Sequence, residues 1–433
     1  MLTPEETFLW DCARTWRTPE RLTAAPNLDW TKIVQTGRAN KMDTLLAGAL
    51  PAAGLLDQLP AETRQSLQSG AARFAHLANA YAEELRPYLR LSAARRLENV
   101  VLKGLSLCIN VYGDAAMRPG GDVDILVRKA RVYDSIALLE ELGMGQWSKG
   151  FDDVYYERHH LHLMRGREDT KLWFEIHWAL DHPYALLTID YETMMDRTRP
   201  GTLLGEPINE LSLPDLLLSL AIHLVKHAVY LPSVLDRPDL PRVILADGML
   251  MYYLDVAELL RQYGEQLDWS LTVELARQWG AVSILGAVLR VCRDYLAAGV
   301  PAWVLRELPV EKPWSLAERA VRRMADHKVA TYLGQKADPL WTFLVGYNES
   351  IVFRPIRLLD MVTYCLPPAG YLQCRYGSHS WWVGGRHFLR ALGQYGRSAV
   401  DTAYYTWKLR RRLQLQQQDT RAVSQRPAGP SSS

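Results

Sequence analysis

The chain has 433 residues, 48% of them apolar and 23% charged, the composition of a globular protein able to bury a substantial core over two or three domains. Its net charge of +2 gives no global case for a nucleic-acid partner. The charge is uneven: from Ile351 onward, twelve Arg and Lys residues face only Asp360, Asp401 and Asp419, so the C-terminal part is basic.

Cys12, Cys108, Cys292, Cys365 and Cys374 are scattered and odd in number, without a C-x-x-C pair, which reads as reduced thiols in a cytoplasmic protein. The opening segment MLTPEETFLWDCARTW has no basic stretch followed by an apolar one and does not read as a signal peptide. The longest largely apolar runs, such as Leu216–Leu224, fall well short of the ~20 residues that span a bilayer. No transmembrane segment is expected.

Residues 1–98 read as a helical N-terminal region. Thr3-Pro4-Glu5-Glu6 has the form of a helix start, with Thr as cap, Pro in the first position and acids in the first turn. An alanine-rich amphipathic stretch, Ala71–Leu85, lies between Gly70 and Pro87. The pattern changes over 99–180. Val100–Leu102 is a short strand ending at Lys103-Gly104, and Leu105–Tyr112 a helix closed by Gly113. Asp122–Val127 is a second strand, and Ala130–Leu142 a helix ending at Gly143. Val154–Tyr156, Leu161–Met164 and Leu172–Trp178 follow as strands. The order β-α-β-α-β-β-β predicts a compact α/β unit with a mixed sheet.

Residues 181–350 read as mostly helical. Leu213-Pro214-Asp215 opens a helix over Leu216–Tyr230, Pro232–Pro241 is a loop, and Val243–Tyr263 is one long helix. Helical patterns continue through Trp269–Ala298 and Leu316–Leu333. Residues 351–415 form a basic helical region with a break at Pro367-Pro368, and 416–433 a polar tail with the composition of a disordered segment.

The most informative string is Arg118-Pro-Gly-Gly-Asp-Val-Asp-Ile-Leu-Val127. Successive side chains in a strand alternate between faces, so Asp122 and Asp124 project together while Val123, Ile125 and Val127 pack on the other side. Two adjacent anions on one sheet face repel unless a cation lies between them, and Mg²⁺ favours such hard oxygen ligands together with substrate phosphates. The bland alternative is a strand-entry turn with solvated acids. Gly120-Gly121 just ahead let the backbone approach a ligand closely. Upstream, the turn Lys103-Gly104-Leu105-Ser106 leads into a helix start, a place suited to an anion. In Leu172-Trp-Phe-Glu-Ile-His-Trp178, the residues Trp173, Glu175 and His177 share one face, and a carboxylate there needs a cation or an arginine partner.

Other candidates carry two readings each. His223 and His227 lie at i and i+4 on a predicted helix, as packed imidazoles, as substrate contacts or as a zinc pair. Asp255 is either a base toward an acceptor hydroxyl or half of an ion pair. His160 and His162 share a strand face and read as solvated or pocket-lining. The run Tyr404–Trp407 followed by Lys408–Arg412 is a basic helix end or a surface for an anionic partner.

These blocks resemble the DNA polymerase β-like nucleotidyltransferase superfamily. Within it they are most similar to the bacterial uncharacterised nucleotidyltransferase family. The blocks are Leu102-Lys-Gly104, Arg118–Val127, Glu175-Ile-His-Trp178, His223-Leu-Val-Lys-His227 and Tyr253-Leu-Asp255, in that order, and the aromatic, basic stretch around Arg375-Tyr376 is similar too. The chain departs from the superfamily in carrying Leu105 directly after the turn glycine, with Ser106 one place later, and in a long spacing from Gly104 to Asp122.

The resemblance implies an α+β fold, a polymerase β-like core flanked by helical regions. It implies metal-dependent transfer of a nucleoside monophosphate from an NTP, ATP first among them, with release of pyrophosphate. Asp122, Asp124 and Glu175 would hold two Mg²⁺ or Mn²⁺ ions. Lys103, Gly104, Ser106, Arg118 and Gly121 would bind the nucleotide, and His177, His223, His227 and Asp255 would face the acceptor, a small molecule or a protein. A dedicated nucleic-acid partner is not expected. The alternatives are a catalytically inactive nucleotide- or partner-binding relative and a zinc hydrolase built on His223 and His227.

Overall fold

The computed structural model describes residues 2–118, 120–146, 162–181, 187–228, 231–310, 315–335, 366 and 380–390. The expected strand Val154–Tyr156, the residues His159 and His160, the Pro367-Pro368 break, Arg375-Tyr376, the stretch Tyr404–Arg412 and the tail 416–433 lie outside the described residues. Met1–Gln335 form one compact unit and Lys336–Ser433 a second.

The first unit opens with α1 (Pro4–Thr15), α2 (Trp30–Ala39), α3 (Asp43–Ala52) and α4 (Ala61–Ala94). The Thr3 start is a complete capping box: the Thr3 hydroxyl accepts from the Glu6 N–H at 3.3 Å, and the Glu6 carboxylate accepts from the Thr3 N–H at 2.7 Å. Neither Gly70 nor Pro87 interrupts α4, which runs for 34 residues. Burial overrides the proline here, because Tyr81, Leu85, Tyr88 and Leu89 anchor the helix in the core, and the Tyr88 hydroxyl hydrogen-bonds Ser135 at 2.6 Å.

Among the described residues five strands follow: β1 (Val100–Val101), β2 (Val123–Leu126), β3 (Gly145–Gln146), β4 (His162–Arg167) and β5 (Leu172–His177). They form a mixed sheet in the order β1-β2-β5-β4-β3, parallel between β2 and β5 and antiparallel elsewhere. The third described strand, Gly145–Gln146, comes directly after the helix over Val132–Glu141, ahead of the expected Val154–Tyr156. Between β1 and β2 the chain forms α5 (Leu105–Leu107), which continues into a π-helical turn, Cys108–Tyr112, closed by left-handed Gly113. Between β2 and β3 lies α6 (Val132–Glu141).

The region after residue 181 is not purely helical. After α7 (Tyr191–Asp196) comes an antiparallel hairpin, β6 (Arg199–Leu203) and β7 (Glu206–Glu210), with Leu204 and Gly205 both at positive φ in its turn. Its strands carry Pro200 and Pro207, which mask a strand pattern in the sequence but are tolerated in a two-stranded ribbon. Helix α8 (Leu213–His227) starts where expected: the Ser212 hydroxyl accepts from the Asp215 N–H at 3.3 Å.

The expected loop Pro232–Pro241 contains α9 (Leu231–Val234) and the start of α10 (Leu240–Asp247). The single helix expected over Val243–Tyr263 is two, α10 and α11 (Leu250–Tyr263). They break at Gly248, which sits at φ +73° with its Cα so close to α2 that an added Cβ would lie 2.7 Å from the Ala39 carbonyl oxygen. Asn40 spans the break, donating to the Leu245 carbonyl and accepting from the Leu250 N–H, both at 3.0 Å. Among the described residues, helices α12 (Trp269–Gln278), α13 (Val282–Leu296), α14 (Ala302–Glu307) and α15 (Ser315–Tyr332) complete the unit. Cys12, Cys108 and Cys292 are buried free thiols. Among the described residues no helix is long and apolar enough to cross a membrane.

Candidate active site

Strand alternation and register build the site together. Asp124 on β2 lies directly beside Glu175 on the parallel strand β5, and His177 on β5 faces His162 on β4. Side chains paired in this way share a sheet face. Asp122, one step before β2, joins them, and ligand oxygens of Asp122, Asp124 and Glu175 lie within 4.8 Å of one another. A second group with the same closeness is His162, Glu175 and His177.

The cluster is held by cations of its own chain. Lys103 Nζ lies 2.5 Å from Asp124 Oδ2 and 3.8 Å from Asp122 Oδ1. His177 Nε2 lies 3.0 Å from Asp124 Oδ1 and 3.2 Å from Glu175 Oε2. Burial favours the neutral carboxylic acid, yet Lys103 and His177 together hold Asp124 well below the usual range. Glu175 is lowered by the His177 hydrogen bond despite its burial. Burial also disfavours a charged His177, but its bonds to both carboxylates raise it. Asp122 is raised by burial and by the negative charge of Asp124. Burial brings the His162 imidazole down to about 4, so it is neutral near pH 7.

Gly104 positions Lys103. Its φ of +59° and ψ of −117° suit only glycine, and they bring the turn after β1 against the Asp122 carbonyl. The Leu102 N–H donates to the Asp124 carbonyl at 3.0 Å, extending the ladder to the acids. Gly121 gives its carbonyl to the Tyr81 hydroxyl at 2.6 Å, while a Cβ at Gly120 or Gly121 would meet nothing within 4 Å. Tyr81, on α4, also accepts from the Trp173 N–H at 3.3 Å, so one side chain ties the β2 entry to β5.

A cavity of about 270 Å³ opens over the acids. One wall carries Lys103, Asp122, Asp124 and Glu175 with His162 and His177; another is α8, through Ser219, His223, Lys226 and His227. The imidazoles of His223 and His227 meet edge to face at 4.8 Å with Tyr252 beside them, and neither belongs to a group with metal-ligand spacing among the described residues. The zinc alternative for His223 and His227 thus finds no third ligand with that spacing among the described residues.

Three of the expected nucleotide and acceptor groups do not line this cavity, although Arg118 lines a smaller pocket together with Gly120 and Asp122. Arg118 Nε donates to Asp255 Oδ1 and Oδ2 at 2.9 and 2.7 Å, with both side chains buried, and the Tyr112 hydroxyl donates to the same carboxylate at 2.9 Å. Neither lines the cavity over the acids. Ser106 lines a different cavity, of about 360 Å³, with Asn110 and Glu210. Sequence reasoning passed over Tyr81 and Lys226. Nothing local marks Tyr81, whereas Lys226 stands inside the string His223-Leu-Val-Lys-His227, three residues from His223 and so on its helix face.

No curated protein and no solved structure matches the chain. The family described as Uncharacterised nucleotidyltransferase matches residues 26–297, a span from α2 to the end of α13 that contains the sheet, the three carboxylates and α8. On that match over more than half of its length, the chain belongs to the uncharacterised nucleotidyltransferase family.

Proposed function

We propose that the chain moves a nucleoside monophosphate from an NTP to an acceptor hydroxyl, with release of pyrophosphate. The observation that supports this most is the pairing of Asp124 with Glu175 across parallel strands, which with Asp122 gathers three carboxylates in the lining of one cavity. Three hard oxygen donors so close together suit a divalent cation. Asp122, Asp124 and Glu175 would hold Mg²⁺ or Mn²⁺, two ions at full loading. When bound, such ions stabilise charge on the entering and leaving oxygens.

The chain's own groups orient the reactants. His177 fixes the Asp124 and Glu175 carboxylates by bonding to both. Glu175, kept ionised by that bond, accepts the hydrogen bond of the acceptor hydroxyl and aims its oxygen at the α-phosphorus. The new bond joins that oxygen to the α-phosphorus, the bond to the bridging oxygen of the β-phosphate breaks, and the hydroxyl proton leaves through Glu175 to solvent.

The test is incubation of the protein and Mg²⁺ or Mn²⁺ with each labelled NTP, ATP first, and pools of small-molecule and protein acceptors. Mass spectrometry then looks for an added nucleoside monophosphate. Asp124→Asn is expected to lower transfer on the order of 100-fold. The proposal is abandoned if calorimetry detects no NTP binding with metal present and Asp122→Ala changes nothing. A non-catalytic, nucleotide-binding relative is the second reading, favoured by the way Lys103 and His177 already compensate the acids. Binding without turnover in every NTP would select it.

A further inference from the structure

The groups expected to clamp the phosphates are engaged elsewhere. The Lys103 ammonium is taken up by Asp124 and Asp122, the Arg118 guanidinium by Asp255, and Ser106 opens on the separate cavity beside Asn110 and Glu210. Something else must meet a polyanion that enters the cavity over the acids.

The lining that α8 contributes has the chemistry. His223, Lys226 and His227 follow at i, i+3 and i+4 along α8 and all line that cavity. Lys226 is half-buried and, among the described residues, makes neither a hydrogen bond nor an ion pair. Burial lowers its affinity for a proton, an effect that the charge of Asp181 partly offsets. A desolvated ammonium without a partner is costly, and an incoming anion relieves that cost. Behind the imidazoles, Tyr252 packs at 5.5 Å from His223 and 5.8 Å from His227. Lys41 Nζ in turn donates to the Tyr252 hydroxyl at 2.6 Å and adds a further positive charge to this side.

The cavity lining therefore combines carboxylates suited to a divalent cation with the Lys226 ammonium and two imidazoles; burial lowers the pKa of both His223 and His227, to about 4 for His227, so they meet an anion as neutral N–H donors. A polyphosphate is a chain of anionic groups that can satisfy a bound cation and these donors at once. We propose that His223, Lys226 and His227 form the binding site for the polyphosphate tail of the donor nucleotide. The tail would lie against α8 rather than in the turn after β1. This rests on the transferase reading for its choice of ligand. Cations in the last turn of a helix also favour its C-terminal carbonyls, so a purely structural role is the competing explanation for Lys226.

Calorimetry on the full chain at saturating Mg²⁺ tests the proposal, with inorganic tripolyphosphate and AMP as probes. Wild-type protein is expected to bind tripolyphosphate, and Lys226→Met to weaken that binding about 10-fold or more, as for loss of a charge-assisted contact. Lys226→Arg should restore binding to within a few-fold of wild type, Ser106→Ala should bind tripolyphosphate as wild type does, and AMP binding should not respond to Lys226→Met. His227→Gln, on the exposed last turn, is expected to weaken tripolyphosphate several-fold and carries the test if Lys226→Met melts at a lower temperature. Wild-type protein that ignores tripolyphosphate overturns the proposal, as does unchanged binding in both Lys226→Met and His227→Gln. Tripolyphosphate binding that depends on Lys226, in a protein that transfers from no NTP, would retain this site and remove the transferase reading instead.

Discussion

Arg118 and Asp255 are 137 residues apart in sequence and meet in the interior with 5% and 2% of their side chains exposed. Read along the chain, Arg118 is a cation beside an acidic motif, and Asp255 an acid on an apolar helix. The structure pairs the two, a contact that neither local sequence shows. Their burial makes the structural consequence testable. Asp255→Leu leaves a guanidinium without its counter-ion and is expected to destabilise the fold by about 3–5 kcal/mol, read as a lower urea midpoint. The double substitution Arg118→Met with Asp255→Leu removes both charges and is expected to recover much of that loss. An acceptor-binding role for Asp255 predicts the opposite pattern, an unchanged midpoint with altered KM. The carboxylates themselves were legible, because strand alternation is local. The identity of the cation against each of them was not, because Lys103 reaches Asp124 from the turn after β1 and His177 from β5.

At the scale of elements, β4 runs three residues past its expected end to Arg167, while the sequence-based boundaries hold at Thr3 and, to within a residue, at β2, where a cap or a period-two pattern marks them. They fail where a tertiary contact makes the break. The hydrophobic pattern runs without interruption from α10 to α11, but Gly248 turns left-handed there so that α2 can approach and Asn40 can bond both helix ends. Gly248→Ala should therefore cost about 1–2 kcal/mol from its backbone conformation alone, with more from the Cβ facing the Ala39 carbonyl. Denaturant unfolding measures it, and a midpoint equal to wild type would mean that the break does not depend on glycine. The hairpin of β6 and β7 escaped notice for a related reason: Leu204-Gly205 is not a strong turn signal, and prolines in both strands suppress the pattern.

At the scale of the whole molecule, the family match over 26–297 and every residue of the site lie within the unit Met1–Gln335. That unit has its own continuous core, with Leu9, Tyr88, Phe174 and Tyr253 fully buried. A chain ending at Gln335 is thus expected to melt in one cooperative transition and to bind tripolyphosphate with Mg²⁺ as the full chain does. Calorimetric melting and titration check this, and a chain that ends at Gln335 but shows no transition would place part of the stability beyond it.

The sequence by itself determined which carboxylates share a face, since period-two alternation is a property of the extended backbone and needs no partner. It also carried enough ordered blocks to place the chain in its family. Only the tertiary structure decided that Asp124 lies beside Glu175, that Lys103 meets Asp124 while Arg118 meets Asp255, and that His223, Lys226 and His227 line the same cavity as the acids. Strand register and ion pairing join residues tens to more than a hundred positions apart. The packing of two surfaces selects them, and no local pattern encodes that choice.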